Sequence, residues 1–343
     1  MRILIVKLSA IGDIVHALPA VAAIRANLPD AEISWVVEQR SAEIVRGSSA
    51  VDHLIEIDTR SMRGGKVIDE ILLDMTQQAR LVRQRKYDIA IDMQGLIKSA
   101  VIAKISGAGR RWGFSRKALR EPAGRFLLTD TVKTPERCHI IRKNLYLAAG
   151  ALGFAFDDTR LEFPIAVADE HRAEADALLT QMGERFAILN PGGGWVTKLW
   201  HAEKFGELAD RIYDETGMTS LVATGPAESE LAKRVAAASR SGRVVLAEPG
   251  LKCFYELARR AAVYIGGDTG PTHIAIAAGA PTVGIFGPTE WWRNGSLTPG
   301  DIGVGREDIG CRVDCHRRTC GKWICMDISV DTVMDAVRTR LAT

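Results

Sequence analysis

Short β-branched apolar runs return along this chain at intervals that leave room for one helix each. RILIVKL, EISWVVE, HLIEID and YDIAIDM occur in the first half, and FAILNP, TSLVATG, RVVLAE, VYIGGD and PTVGIFG in the second. Between them lie amphipathic stretches such as VIDEILLDMTQQARLVRQRK and AEKFGELADRIYDETG. Strands that alternate with helices build parallel sheets covered on both faces. The pattern restarts after Pro164, where a polar run places a linker at about residues 160–170. A chain of 343 residues also exceeds what one ordinary core organises. The expectation is two doubly wound α/β domains, residues 1–165 and 166–326, facing one another across a cleft. Ligands of such sheets bind beyond the carboxyl ends of the strands. In residues 327–343 the segment ISVDTVMDAVRTRLA reads as a final amphipathic helix, expected to pack back toward the first domain.

An apolar content of 47% with 25% charged residues is that of a soluble globular protein. No apolar run reaches the roughly 18–20 residues of a membrane span. Lys7 and Asp13 interrupt the first apolar stretch and no small-residue cleavage site follows, so it does not read as a signal peptide. A cytoplasmic location follows as an expectation. Six cysteines suit that compartment if they are reduced or bind metal. Four of them, Cys311, Cys315, Cys320 and Cys325, crowd into CRVDCHRRTCGKWICM with the spacing C-x3-C-x4-C-x4-C. Tetrahedral zinc accepts four thiolates, yet paired C-x2-C knuckles are missing. Reduced structural thiols are the expectation and a structural zinc the alternative.

The net charge of +3 conceals an asymmetry: Arg60 to Lys143 holds 19 Lys/Arg against 8 Asp/Glu. A solvated helix surface accounts for most of them. The sharper reading is a field that attracts a polyanion or an anionic membrane surface. No helix-turn-helix, zinc-finger or RNA-recognition signature accompanies the charge, so nucleic acid is not an expected partner.

The first turn, KLSAIGDIVHALP, has one glycine and a carboxylate where a dinucleotide site would have G-x-G-x-x-G. A carboxylate there repels phosphate and takes the helix dipole's anion site for itself. Asp13 is either a plain helix cap or a group aimed into the cleft, ionised at neutral pH by the dipole. The second half supplies what the first lacks. VYIGGDTGPTHIAIAAGAPTVGIFGPT reads as strand, tight turn, small-residue helix and strand. Amides around Thr269 and Gly270 lie at a helix N-terminus and can donate to a diphosphate, with a hydroxyl from Thr269 or Thr272. His273 reads as a structural histidine. In NPGGGWVTKLWHAEKF, Lys198 follows a glycine run and can place an ammonium on a leaving phosphate, or is simply solvated. Glu228 in TGPAESELAKR can accept from ribose hydroxyls, or is an acid in a first helical turn.

Together K-x-S-x-x-G-D, G-D-T-G-x-x-H and F-G-P-T resemble the ADP-heptose:lipopolysaccharide heptosyltransferases, glycosyltransferase family nine. IDMQGLIKSA and LREP look most like the first heptosyltransferase of that pathway. The resemblance implies a GT-B fold of two Rossmann-like domains, acceptor in the first and donor in the second, and transfer with inversion. It implies Asp13 as general base and Lys198 at the donor phosphates. Gly193, Gly194, Glu228, Asp268, Thr269, Gly270 and His273 would line the donor site, with Glu230 an alternative to Glu228. Arg60, Arg63, Lys98 and Arg120 would meet the acidic sugars of Kdo-lipid A. ADP-heptose is the implied donor, ADP the product, and no cofactor is required. The enzyme would work peripherally at the inner face of the cytoplasmic membrane. Gly193 and Gly194 stand where some relatives carry hydroxyl residues, and the cysteine tail is more like that of second heptosyltransferases. A relative using the same donor on an already heptosylated core or a protein hydroxyl is therefore an alternative. A non-catalytic nucleotide-sugar binding protein is another, and the missing first-turn glycines weigh against an oxidoreductase.

Overall fold

The computed structural model describes residues 1–58, 77–311, 315 and 317–343. Contacts divide the chain into two compact units, Met1–Ala166 and Val167–Thr343. The first contains β1 (Arg2–Val6), β2 (Glu32–Glu38), β3 (His53–Ile57), β4 (Ile89–Asp92), β5 (Arg110–Phe114) and β6 (Asp130–Val132). They form one sheet in the order β3-β2-β1-β4-β5-β6, every neighbouring pair parallel. Ile3, Leu4, Ile5 and Val6 of the central β1 are fully buried. A parallel strand covered on both faces has no solvated side, which is why RILIV is a continuous apolar run rather than an alternating one.

The second unit contains β7 (Phe186–Asn190), β8 (Thr219–Ala223), β9 (Val244–Ala247), β10 (Val263–Gly267), β11 (Thr282–Ile285) and β12 (Ile302–Val304). Their order is β12-β11-β10-β7-β8-β9, again parallel throughout. Counted from its first strand, this winding repeats that of the first unit. Each sheet reverses direction beside its first strand, between β1 and β4 and between β7 and β10. That switch point opens a crevice beyond the strand ends.

Three strands escaped the sequence pattern: β5, β6 and β12. β5 begins Arg110–Arg111, and β6 and β12 have three residues each. All three lie toward the end of their sheet, where little burial is needed and hydrophobic patterning is weak. The final helix, Val330–Ala342, is the amphipathic element expected at the end of the chain. Ser329 caps it by accepting from Thr332 N, and Val330, Val333, Met334 and Val337 enter the core of the second unit. Trp200 Nε1 donates to Ile328 O at 3.0 Å just before it. The helix packs within the second unit because its apolar stripe completes that unit's core.

Candidate active site

Val6 lies level with Asp92 across β1 and β4, so the loops that follow both strands start side by side. Asp13 stands in the first turn of the helix Ile11–Val15. Its carboxylate accepts from the Ala10 amide, one of the N-terminal donors with no intrahelical partner. Arg120 Nη2 donates to Oδ1 at 3.1 Å. Asp13 keeps 18% of its side chain exposed and Arg120 50%. Burial raises the Asp13 pKa, but the charges of Lys7 and Arg120 and these hydrogen bonds outweigh it, and the net shift is downward. The group is both a helix-end acid and a solvent-facing anion.

Two residues that build this cluster were given no role from the sequence. Lys7, just beyond β1, is buried, and its Nζ donates to Met93 O at 2.9 Å. Burial lowers its pKa, with Asp13 the largest charge acting the other way. Gln94 Oε1 accepts from Leu8 N at 3.0 Å and Ser9 N at 3.2 Å, so the turn after β4 shapes the loop that leads to Asp13. The same turn reaches Arg120's neighbour: Glu121 N donates to Gly95 O at 3.2 Å. Ile97 N in turn donates to Glu121 Oε2 at 2.7 Å. Asp92 closes the turn by accepting from Gln94 N at 2.9 Å, Gly95 N at 3.1 Å and Ser99 Oγ at 2.9 Å. Burial dominates over those bonds and pushes its carboxyl up to about 6. The signal was present in IDMQG, a carboxylate at a strand end with a glycine three residues on.

Lys98 pairs with buried Glu38 at 2.9 Å, so it is engaged within the unit rather than presented as a lone cation. Arg60 and Arg63 lie outside the described residues.

In the second unit Asn190 of β7 lies level with Gly266 of β10, and the following loops bring Lys198 to Asp268. Lys198 Nζ donates to Asp268 Oδ2 at 2.7 Å and to its backbone O at 3.0 Å. An ammonium has three donors, so one is left. His273 Nε2 lies 3.1 Å from Asp268 Oδ1. Burial raises the Asp268 pKa, yet His273 and Lys198 overcome it and hold the carboxyl well below the usual range. Asp268 and His273 are both buried and orient Lys198 from behind.

Thr269 is the N-cap of the helix Gly270–Ala277, whose first-turn amides have no intrahelical acceptor. Its hydroxyl donates to Asn190 Oδ1 at 3.3 Å. The Thr272 hydroxyl, by contrast, is buried and donates to Gly267 O, with Tyr264 OH 2.8 Å away, so it cannot serve a ligand. Two further candidates are already engaged with each other. Glu228 Oε1 accepts from Gly193 N at 3.2 Å and Oε2 from Gly225 N at 2.9 Å. The Gly193 amide is thus already used, and Glu228 ties the loops after β7 and β8 together. A Cβ at Gly192 would come within 2.3 Å of that carboxylate. Gly194 has open space around it. Glu230 is exposed and pairs with Lys233 at 2.6 Å.

Cys311, Cys315, Cys320 and Cys325 are free thiols. Cys325 is raised chiefly by burial, with smaller contributions from the other three thiols. They lie within one another's field, but among the described residues no three His, Cys, Asp or Glu side chains converge on a metal position. Nor is any described helix long and apolar enough to cross a membrane.

Residues 75–323 match the model of glycosyltransferase family 9 (heptosyltransferase). Lipopolysaccharide heptosyltransferase 1 of Pseudomonas aeruginosa is 29% identical over 322 residues, 93% of this chain and 87% of that one. Its Escherichia coli K12 counterpart is 28% identical over 313 residues, 91% and 93% of the two chains. The structure of E. coli heptosyltransferase WaaC with ADP superposes with a TM-score of 0.79 at 24% identity, covering 99% of this chain and 100% of that one. E. coli ADP-heptose lps heptosyltransferase II gives 0.77 at 18% identity, covering 100% and 99%. These two likenesses show a common GT-B-type fold. With the family model matched over most of its length, the chain belongs to glycosyltransferase family 9, the heptosyltransferases.

Proposed function

We propose that this enzyme moves heptose from ADP-heptose to the Kdo-lipid A inner core of lipopolysaccharide, as the first heptosyltransferase. The observation that carries the reading is Asp13, an anion with an exposed edge, hydrogen-bonded to Arg120 in a strongly basic unit. An acceptor rich in carboxylates and phosphates competes for Arg120. Once Arg120 turns to the acceptor, Asp13 loses a charge that depresses its basicity and becomes a better proton acceptor. The acceptor hydroxyl then attacks the anomeric carbon as its proton passes to Asp13. The C–O bond to the diphosphate breaks with inversion, and ADP leaves with the electron pair. Lys198 neutralises the charge that develops on the leaving phosphate. Asp268 and His273 position it, and the first-turn amides at Thr269 and Gly270 hold the diphosphate. No metal enters this scheme, because the ammonium and amides supply the positive charge. The membrane-linked acceptor puts the enzyme at the cytoplasmic face of the membrane.

The test is ADP release from ADP-heptose, comparing Kdo-lipid A with the same acceptor already carrying one heptose. Release only with the bare acceptor is expected. Release only with the heptosylated one would reassign the chain to the second transfer. A protein that binds ADP-heptose without turnover on either acceptor, or on a protein hydroxyl, would be a binding protein.

A further inference from the structure

Phe126 leaves 81% of its surface in solvent, more than any other large apolar side chain among the described residues. It sits on the turn Pro122–Leu127. That turn packs on the helix Ile97–Ile105. The packing is close at Gly124, where a Cβ would lie in ordinary contact with Leu96 O at 3.5 Å and Ala100 Cβ at 3.6 Å. On the helix, Ile97 is 43% and Val101 37% exposed. They stand four residues apart, and exposed Lys104 continues their stripe. Arg116 and Lys117 are exposed on the segment that leads to the turn. Among the described residues, Lys104, Arg116 and Lys117 have no acidic partner. From Ile97 to Phe126 the chain carries 8 Lys/Arg and a single acid, Glu121.

We propose that this face is the site at which the enzyme docks on an anionic phospholipid bilayer, with Phe126, Ile97 and Val101 entering the headgroup boundary. Lys104, Arg116 and Lys117 stay at the level of the lipid phosphates. Exposed apolar side chains, with unpaired cations on the same helix and on the segment leading into the turn, suit that interface, where aromatic rings sit at headgroup depth and each nearby cation adds attraction. The turn starts two residues after Arg120, the partner of Asp13. Docking here brings the acid–arginine pair to the height of a lipid-linked sugar. The link to the acceptor rests on the function proposed above, whereas the docking itself does not.

The experiment is sedimentation of the full chain with vesicles of phosphatidylcholine alone or mixed with phosphatidylglycerol, in the absence of acceptor. Binding is expected to the anionic vesicles only. It falls about tenfold in Phe126→Asp and in the triple variant Lys104→Glu, Arg116→Glu, Lys117→Glu. Both variants change exposed side chains, and turnover of a deacylated, water-soluble acceptor stays at the parent level. Absence of binding, or equal binding by Phe126→Asp, overturns the proposal. So does a Phe126-dependent dimer seen by light scattering without vesicles, which would make the face a contact between copies. Vesicle binding that depends on Phe126 while ADP release fails with every acceptor upholds the docking site and removes the heptosyl-transfer reading.

Discussion

In both units the fourth strand of the winding leads into an aspartate, Asp92 at the end of β4 and Asp268 just beyond β10, and their titrations move in opposite directions. Both are buried, and burial alone raises a carboxyl. Around Asp92 the close partners are two amides and a hydroxyl, while nearby Lys7 gives its hydrogen bond to Met93 O. Around Asp268 there is an ammonium at 2.7 Å and an imidazole at 3.1 Å. Neutral donors reduce the cost of burying a carboxylate, and a contacting cation reverses it. The loops after the first strands show the complementary exchange. β1 leads to an anion, Asp13, and β7 to a cation, Lys198. One topology thus carries an anion in one unit and a cation in the other, and the function proposed above makes them a proton acceptor and a phosphate partner.

The hardest test of that division is to neutralise each charge. Asp13→Asn should lower turnover by about 10²–10⁴-fold, the usual contribution of a positioned base. ADP binding and Tm should stay at the parent level. An Asn variant at full speed removes Asp13 from the proton transfer. Lys198→Ala should cost about 10²–10³-fold in kcat, as for one lost donor at a developing charge. It also strips a buried carboxylate of its main cation, so denaturant unfolding should show a loss of about 3 kcal/mol. A kinetic defect with unchanged stability would mean that Asp268 finds another partner.

The two aspartates differ in pH as well. Asp268 has a depressed folded value, so its stabilisation is present above the unfolded carboxyl value and is lost as pH falls below it. Asp92 is raised from 3.8 to about 6. The native state then binds the extra proton, and stability falls as pH rises between those values, by up to about 3 kcal/mol. Asp268→Asn should flatten the acid limb of the stability curve. Asp92→Asn should instead remove a decline between about pH 4 and pH 6. Parallel changes in the two variants would erase the contrast.

A smaller effect concerns Arg120, whose charge helps to hold the Asp13 pKa down. In Arg120→Ala the acid limb of the kcat/KM profile should move to higher pH. If the limb stays in place while KM rises, Arg120 serves the acceptor alone. Gly192→Ala tests the loops only. The added methyl meets the Glu228 carboxylate, and a stability loss of about 1–3 kcal/mol is expected from that overpacking.

Much of this was written in local sequence. Continuous runs such as RILIV and FAILN announce buried parallel strands, because neither of their faces meets water. The glycine run before Lys198, the G-D-T-G turn and the acid in SAIGD mark the loops where ligands of such sheets bind. Peripheral strands β5, β6 and β12 stayed hidden because they are short or charged, and their strand character comes from a neighbour's backbone. Tertiary structure alone decided what each charged group faces. Lys98 resembled a surface cation and is paired with Glu38. Gly193 was expected to line the donor site, and its amide is given to Glu228. Lys7 and Gln94 lay inside quoted motifs with no role assigned to them, yet they set the environment and the loop of Asp13. Periodicity records burial, which is a property of each residue's own position. Hydrogen bonds between residues 86 or 107 positions apart depend on which strand ends the fold makes neighbours, and no local stretch encodes that.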